Sequence, residues 1–309
     1  MTLTSGCVLT IGTFDGVHIG HQALLKVVVA KALRLGVPSV VLSFEPQPAE
    51  FFLQDLAPCR LTKWREKYRL LQQTSIDYLY CLHFNATLAA CTATDFMHKF
   101  IFTNLQPKII VIGQDFRFGC QREGNLALLQ QQAMVSGAEV YVCADKLIHQ
   151  QRVSSTSIRH LLAANQLALA VQYLGHPYRI SGRIMHGAGL GHTWGIPTAN
   201  IDPGQIPLKG VYCVSLQRAY GAVLNGVANI GCRPTLNGSR WILEIHILNF
   251  TEMIYGERVD VIFLHYLRSE IKFNSVELLI KQIGIDRDNA IAYFALQSHK
   301  QDIKHHERL

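Results

Sequence analysis

The chain has 309 residues, 49% hydrophobic, 17% charged and 9% aromatic, which leaves room for two cores and excludes a disordered chain. Lys and Arg number 29 against 22 Asp and Glu, so the net charge is +7 and anionic ligands are favoured; the basic residues come in ones and twos, without the block that would point to nucleic acid. The eight cysteines form no CxxC pair for zinc or redox chemistry, and they suit a reducing cytoplasm.

The start, MTLTSGCVLTIG, has no basic segment before its apolar stretch, so no secretory signal is expected. Short β-branched runs at 7–11, 39–44, 78–82, 109–112 and 139–143 predict strands, and amphipathic stretches at 22–35, 63–73, 95–103 and 126–135 predict helices between them. Thr94 is the expected N-cap of the third helix. This βαβ series predicts a parallel sheet covered on both faces. Two short helical patterns follow over 154–174, parted at Asn165, and the alternation then stops. A domain boundary is placed near 175, giving domains 1–175 and 176–309.

Beyond it, runs at 178–186, 211–216, 226–230, 241–248 and 258–265 predict strands without helices between them, hence an antiparallel barrel or sandwich. A helical tail over 275–283 and 288–296 closes the pattern. Seven of the 23 glycines fall within 182–210, which reads as a permissive loop. The longest uncharged stretches carry Asn, Gln, His, Gly and Pro throughout, so no bilayer-spanning segment is expected.

The first chemical signal is Thr10-Ile-Gly-Thr-Phe-Asp-Gly-Val-His-Ile-Gly-His21, where the first strand meets the first helix. Gly12, Gly16 and Gly20 allow close backbone approach, and a helix starting near Ile19 offers amide donors to a phosphate chain. His18 and His21 fall on one side of that helix start as paired donors, although a glycine turn with two solvent-facing imidazoles has the same spelling. No G-K-[S/T] follows, so this is not a Walker loop. Ser154-Ser-Thr-Ser-Ile-Arg159 offers hydroxyls that either cap a helix or reach a phosphate, with Arg159 one turn on.

In the second half, Gly195-Ile-Pro-Thr-Ala-Asn200 presents Thr198 and Asn200 as hard oxygen ligands suited to Mg²⁺, or alternatively as an Asx-type turn. Trp241-Ile-Leu-Glu-Ile-His246 alternates, so Glu244 and His246 share one strand face; Glu244 could serve as a base or simply face solvent.

These stretches, with Phe44-Glu-Pro-Gln-Pro48, Gly113-Gln-Asp-Phe-Arg-Phe-Gly119, Gly226-Val-Ala-Asn-Ile-Gly-Cys-Arg-Pro-Thr235 and Leu267-Arg-Ser-Glu-Ile-Lys-Phe273, resemble the prokaryotic bifunctional riboflavin kinase/FMN adenylyltransferase (FAD synthetase) family over nearly the whole chain. The resemblance implies an α/β Rossmann-like nucleotidyltransferase domain followed by an antiparallel β-barrel kinase domain with terminal helices. It implies that riboflavin is phosphorylated to FMN and FMN adenylylated to FAD, with ATP as co-substrate, Mg²⁺ as cofactor and pyrophosphate released. Gly12, Thr13, Phe14, Asp15, His18, His21, Ser155, Thr156 and Arg159 would bind ATP in the first domain, and Asp115 would lie near the flavin. In the second, Gly195, Pro197, Thr198 and Asn200 would hold ATP, Thr198 and Asn200 the metal, Glu244 would be the catalytic base, and Arg268 would help close over the flavin. The implied partners are riboflavin, FMN and ATP, with neither nucleic acid nor membrane. Two departures are visible: Gln47 replaces the family's usual His in FxPHP, and Gly191-His192 with Trp194 stand where Gly-Arg and Leu are usual. Two alternatives stand beside this reading: a riboflavin kinase with an impaired adenylyltransferase, and a non-catalytic flavin-binding regulator.

Overall fold

Five strands of near-continuous apolar sequence form one parallel sheet: β1 (Cys7–Ile11), β2 (Ser39–Glu45), β3 (Tyr78–His83), β4 (Pro107–Gly113) and β5 (Glu139–Cys143), in the order β3-β2-β1-β4-β5. The computed structural model describes residues 5–187, 196–221, 223–235 and 238–306. The chain divides into two compact units, Met1–Ser157 and Ile158–Leu309.

In the first unit β1 is central and buried at every position, because both of its faces are covered. Cys7, Leu9 and Ile11 pack with Val40, Leu42, Ile110 and Ile112 on one face, while Val8 packs on the other with Ile109 and Val111. The latter face is covered by α1 (Ile19–Leu35) through Val28 and Ala32, and Gly36, left-handed at φ 64°, ends that helix. The strand order reverses between β1 and β4, so the ligand crevice expected of such a sheet lies at their carboxyl ends.

The smaller helices are α2 (Pro48–Leu53), α3 (Trp64–Gln72), α4 (Ala86–Ala89), α5 (Ala93–Phe96) and α6 (Leu126–Val135). The expected helix over 95–103 differs: Thr92, not Thr94, caps α5 by accepting the Asp95 N–H at 3.1 Å, and Met97–Phe102 continues as a π-helical turn. Thr92 stands outside the helix with extended backbone, as a cap must, whereas Thr94 is already inside it. A two-residue hairpin, β6 (Leu147–Ile148) with β7 (Gln151–Arg152), leads into α7 (Ser155–Ala163).

The second unit continues with α8 (Leu167–Leu174), reached through Asn165 at φ 58°. Its sheet is wholly antiparallel, in the order β8 (Arg179–Arg183), β13 (Arg258–Arg268), β10 (Gly210–Arg218), β11 (Leu224–Thr235), β12 (Gly238–Ile247) and β9 (Ala199–Ile201). The edges meet at a Met185–Asn200 bridge in which the Met185 N–H donates to the Asn200 carbonyl at 2.8 Å, so the sheet curls to a barrel. Gly182 makes that closure sterically feasible, since a Cβ there would lie 2.2 Å from Ile201 Cγ2.

Two expectations are corrected here. The stretch read as a loop over 182–210 contains β9, three buried residues whose pairing is tertiary and whose length is too short for a periodicity. The two-part tail is one helix, α9 (Val276–His306), running through Gly284. A mid-helix glycine costs about 1 kcal/mol; here the helix is held beyond it by Asp286, bound to Arg268, and by Ala290, buried with Val211, Cys213 and Val227.

Candidate active sites

At the carboxyl end of β1 the chain enters a turn, residues 12–18, with positive φ at Phe14 (50°), Gly16 (82°) and Val17 (38°). Phe and Val in this region are strained. Both are buried with Leu25, Val41, Leu70 and Leu71, so core packing holds the strained backbone in place. The Asp15 carboxylate, 1% exposed, accepts the Leu61 and Thr62 N–H groups and the Thr62 hydroxyl at 3.0–3.2 Å, and the Thr62 oxygen accepts the Gly16 N–H at 3.0 Å. Ser155 donates its hydroxyl to the Asp15 carbonyl at 2.9 Å, and Lys67 donates to the Thr13 carbonyl at 3.2 Å. Asp15, expected to bind ATP, thus has its carboxylate turned to the segment before α3, where it shapes the turn.

His18 is the N-cap of α1, and its Nδ1 accepts the His21 N–H at 3.3 Å. The two rings stack with centroids 3.6 Å apart and planes 17° from parallel. The buried His21 Nδ1 has no hydrogen-bond partner. Burial, reinforced by His18 and Lys67, pushes the His21 pKa well below its usual value, so the ring is neutral at pH 7. Gly20 leaves room beside it, since a Cβ there would make a tight contact at 3.2 Å from the His18 ring.

Of the hydroxyl cluster, Ser154 and Ser157 cap each other at 2.9 and 3.1 Å, Thr156 is exposed, and Arg159 sits one turn beyond Ser155 on α7. The exposed Asp115 accepts from Arg152 at 2.9 Å, and Arg152 also binds Asp145 at 3.0 Å. Arg152, an isolated cation in a two-residue strand, carried no signal in the sequence. Gln47 is 7% exposed and its Nε2 has no partner, although Glu50 accepts its N–H at 2.9 Å. Close by, Phe51, Phe52 and Phe84 meet edge to face at 5.4–5.8 Å, with Phe52 60% exposed, an aromatic surface the sequence reading missed.

In the barrel Glu244 stands in register with Asn229 on β11 and Asn200 on β9, so three polar side chains form a row across three strands. Asn200 is 9% exposed and lies over Gly187, where a Cβ would come within 2.3 Å of its Nδ2. His246 Nδ1 meets the Pro197 carbonyl at 3.1 Å, pinning the strand entry beside Thr198. Gly195, His192 and Trp194 lie outside the described residues. Thr198, Asn200 and Glu244 are an oxygen-only donor set, which fits Mg²⁺; among the described residues no group of three His, Cys, Asp or Glu could hold a metal unaided, so such an ion would need substrate oxygens as well.

Arg268, expected to close over a ligand, grips Asp286 through Nε at 2.8 Å and Nη2 at 2.6 Å and donates Nη1 to the Ser269 carbonyl. Its guanidinium holds α9 in place. Glu270, overlooked in the sequence, lies against Gly231 beside Asn229, its Oε1 2.4 Å from where a Cβ would be. Burial raises its pKa and Glu244 adds to this, while Lys209 and Arg268 oppose it.

An FAD synthetase family model matches residues 1–157 and a riboflavin kinase family model matches residues 174–294. Relatives named bifunctional riboflavin kinase/FMN adenylyltransferase include proteins of Haemophilus influenzae, 45% identical over 291 residues, and Escherichia coli K12, 43% identical over 293, each alignment covering 94% of both chains. The Pseudomonas fluorescens protein is 41% identical over 96% of this chain and 95% of its own. A solved structure from Streptococcus pneumoniae, described as a macrolide-efflux protein, superposes with a TM-score of 0.79 at 30% identity, covering 93% of this chain and 94% of that one. Among the described residues no helix is long and apolar enough to cross a membrane. With identity of this level sustained across both units, the chain belongs to the bifunctional riboflavin kinase/FMN adenylyltransferase family.

Proposed function

We propose that this chain converts riboflavin to FMN in its second half, residues 176–309, and FMN to FAD in its first, residues 1–175, using MgATP in each step. The observation that supports the reading is that each unit gathers polar groups of its own, an anchored turn with a stacked imidazole pair in one and the Asn229–Glu244–Asn200 row in the other, which we read as two phosphate sites. The cytoplasm, where ATP and flavins are available, is the compartment we assign.

In the barrel Glu244 takes the proton of the ribityl 5′-hydroxyl as that oxygen bonds to the γ-phosphorus of ATP and ADP departs. Thr198 and Asn200 would hold Mg²⁺, which would supply positive charge to neutralise the phosphate oxygens of ATP. Pro197 adjoins Thr198 in the chain, and the family resemblance implies that Gly195 and Pro197 also bind ATP. In the first unit a phosphate oxygen of FMN attacks the α-phosphorus of ATP, and the bond to the β-phosphate breaks to release pyrophosphate. The backbone of Gly12, Thr13, Phe14 and Asp15 and the start of α1 cradle the phosphates, and His18 and His21 donate hydrogen bonds to the charge that builds there. Ser155, Thr156 and Arg159 serve the same phosphates. Asp115, through its pair with Arg152, and the Phe51, Phe52 and Phe84 surface receive the flavin ring. Gln47 contributes an amide donor but no charge. Neither step needs a covalent enzyme intermediate, since positioning and charge stabilisation suffice.

The test is to incubate the purified chain with riboflavin, ATP and Mg²⁺ and separate flavins by chromatography over time. FMN followed by FAD is expected. FMN without FAD would reassign the chain as a kinase whose adenylyltransferase is impaired, with Gln47 the first suspect; flavin bound without conversion would overturn both activities.

A further inference from the structure

The Lys67 side chain, on α3, has no exposed surface. Lysine is almost never buried to this degree without a close counter-ion. Glu45 is 3.9 Å away, and the other oxygen of that carboxylate is bound by Arg60 at 2.7 Å. The direct contact of the ammonium is instead the Thr13 carbonyl at 3.2 Å, inside the turn at the end of β1, with the Trp64 ring centroid at 5.3 Å. The charged groups of this cluster are Asp15 on the turn, Glu45 on β2, Glu50 on α2, Arg60 in the segment before α3, and Lys67 itself. Three carboxylates against two cations leave a charge of −1 in the wall of a site that takes polyphosphate; without Lys67 it would be −2. Titratable neighbours are Cys81 on β3, and His18 and His21 at the start of α1.

We propose that Lys67 is a positioning residue for adenylyl transfer: its ammonium anchors the Thr13 carbonyl of the phosphate-binding turn and supplies a fixed positive charge behind that turn. This rests on the adenylyl-transfer reading of the first unit. Burial lowers the Lys67 pKa, but Glu45 and Asp15 work against that loss of charge. The same charge adds to burial and His18 in keeping His21 neutral. Lys67 thus acts through the turn backbone and through His21, without touching substrate.

The experiment compares Lys67→Met, which keeps an unbranched stem, and Lys67→Gln, which keeps a donor without charge, in the full chain. Glu45 keeps Arg60 as its partner in both. For Lys67→Met the kcat of FMN-to-FAD conversion should fall about 10²-fold, with riboflavin phosphorylation within about twofold of native as the folding control in the same molecule. The His21 ring, followed by NMR and assigned through a His21→Asn variant, should titrate at higher pH in both variants, a change that mere structural support of α3 would not produce. FAD formation within about twofold of native, or an unmoved His21 titration, would overturn the proposal. If Lys67→Met does not fold, the same readouts on Lys67→Gln decide. Failure of the native chain to form FAD would remove the adenylyl-transfer reading itself, and the His21 titration, which needs no turnover, would still judge the role of Lys67.

Discussion

Replacing Asp15 with Ala removes the acceptor that holds the turn after β1. Its carboxylate takes the N–H groups of Leu61 and Thr62 and the Thr62 hydroxyl, all buried. Each orphaned buried donor costs about 1–3 kcal/mol, so the two N–H groups alone predict a loss of roughly 2–6 kcal/mol. In a domain of this size each kcal/mol lowers Tm by about 2–4 °C, and a mid-range loss of about 4 kcal/mol corresponds to roughly 8–16 °C. Asp15→Asn keeps one oxygen facing the same donors and loses only the charge assistance, which sets its cost near 1 kcal/mol. Calorimetry of the full chain should show the transition of the first unit lowered in the order Ala more than Asn, with FMN-to-FAD conversion lost in Asp15→Ala and riboflavin phosphorylation unchanged. A Tm for Asp15→Ala within about 1 °C of native would refute the reasoning, as would equal effects of the two substitutions.

Glu244→Gln should lower FMN formation by about 10²-fold or more while leaving FMN-to-FAD conversion intact, read by chromatography with either flavin as substrate. His21→Ala should show the reverse pattern; loss of both activities in a folded chain would contradict the assignment of one reaction to each unit. Asp286→Ala removes the carboxylate that Arg268 binds on α9, and denaturant titration should show the second unit weakened by roughly 1.5–3 kcal/mol. Burial pushes the Glu50 carboxyl up, but the Arg60 hydrogen bond, the Gln47 N–H and the charges of Arg60 and Lys67 outweigh it and hold the pKa below 4.5. A depressed carboxyl stabilises the fold above its unfolded value and loses that contribution as pH falls through the folded one. Acid unfolding of Glu50→Gln should therefore be flatter below about pH 4.5 than that of the native chain.

The parallel sheet was legible in the sequence because its central strands β1, β2 and β4 are largely buried and read as apolar runs, and β1 and β5 begin and end where the pattern predicts. The glycines, His18 and His21 were legible because they sit in one continuous segment at a strand-to-helix turn, and the order of such motifs along the chain was enough to suggest the family. The polar row in the barrel was half visible: Thr198, Asn200 and Glu244 each stand in a recognisable stretch, yet Asn200 meets Glu244 only when β9, too short for any periodicity, pairs with β12. Tertiary structure alone decided that Asp15 shapes the turn, that Arg268 is taken up by Asp286, and that the buried charge of Lys67 lies against Thr13. The physical reason is common to all three: a side chain's role depends on which donor or acceptor burial leaves within reach, and those partners are 18 to 54 residues away in the chain.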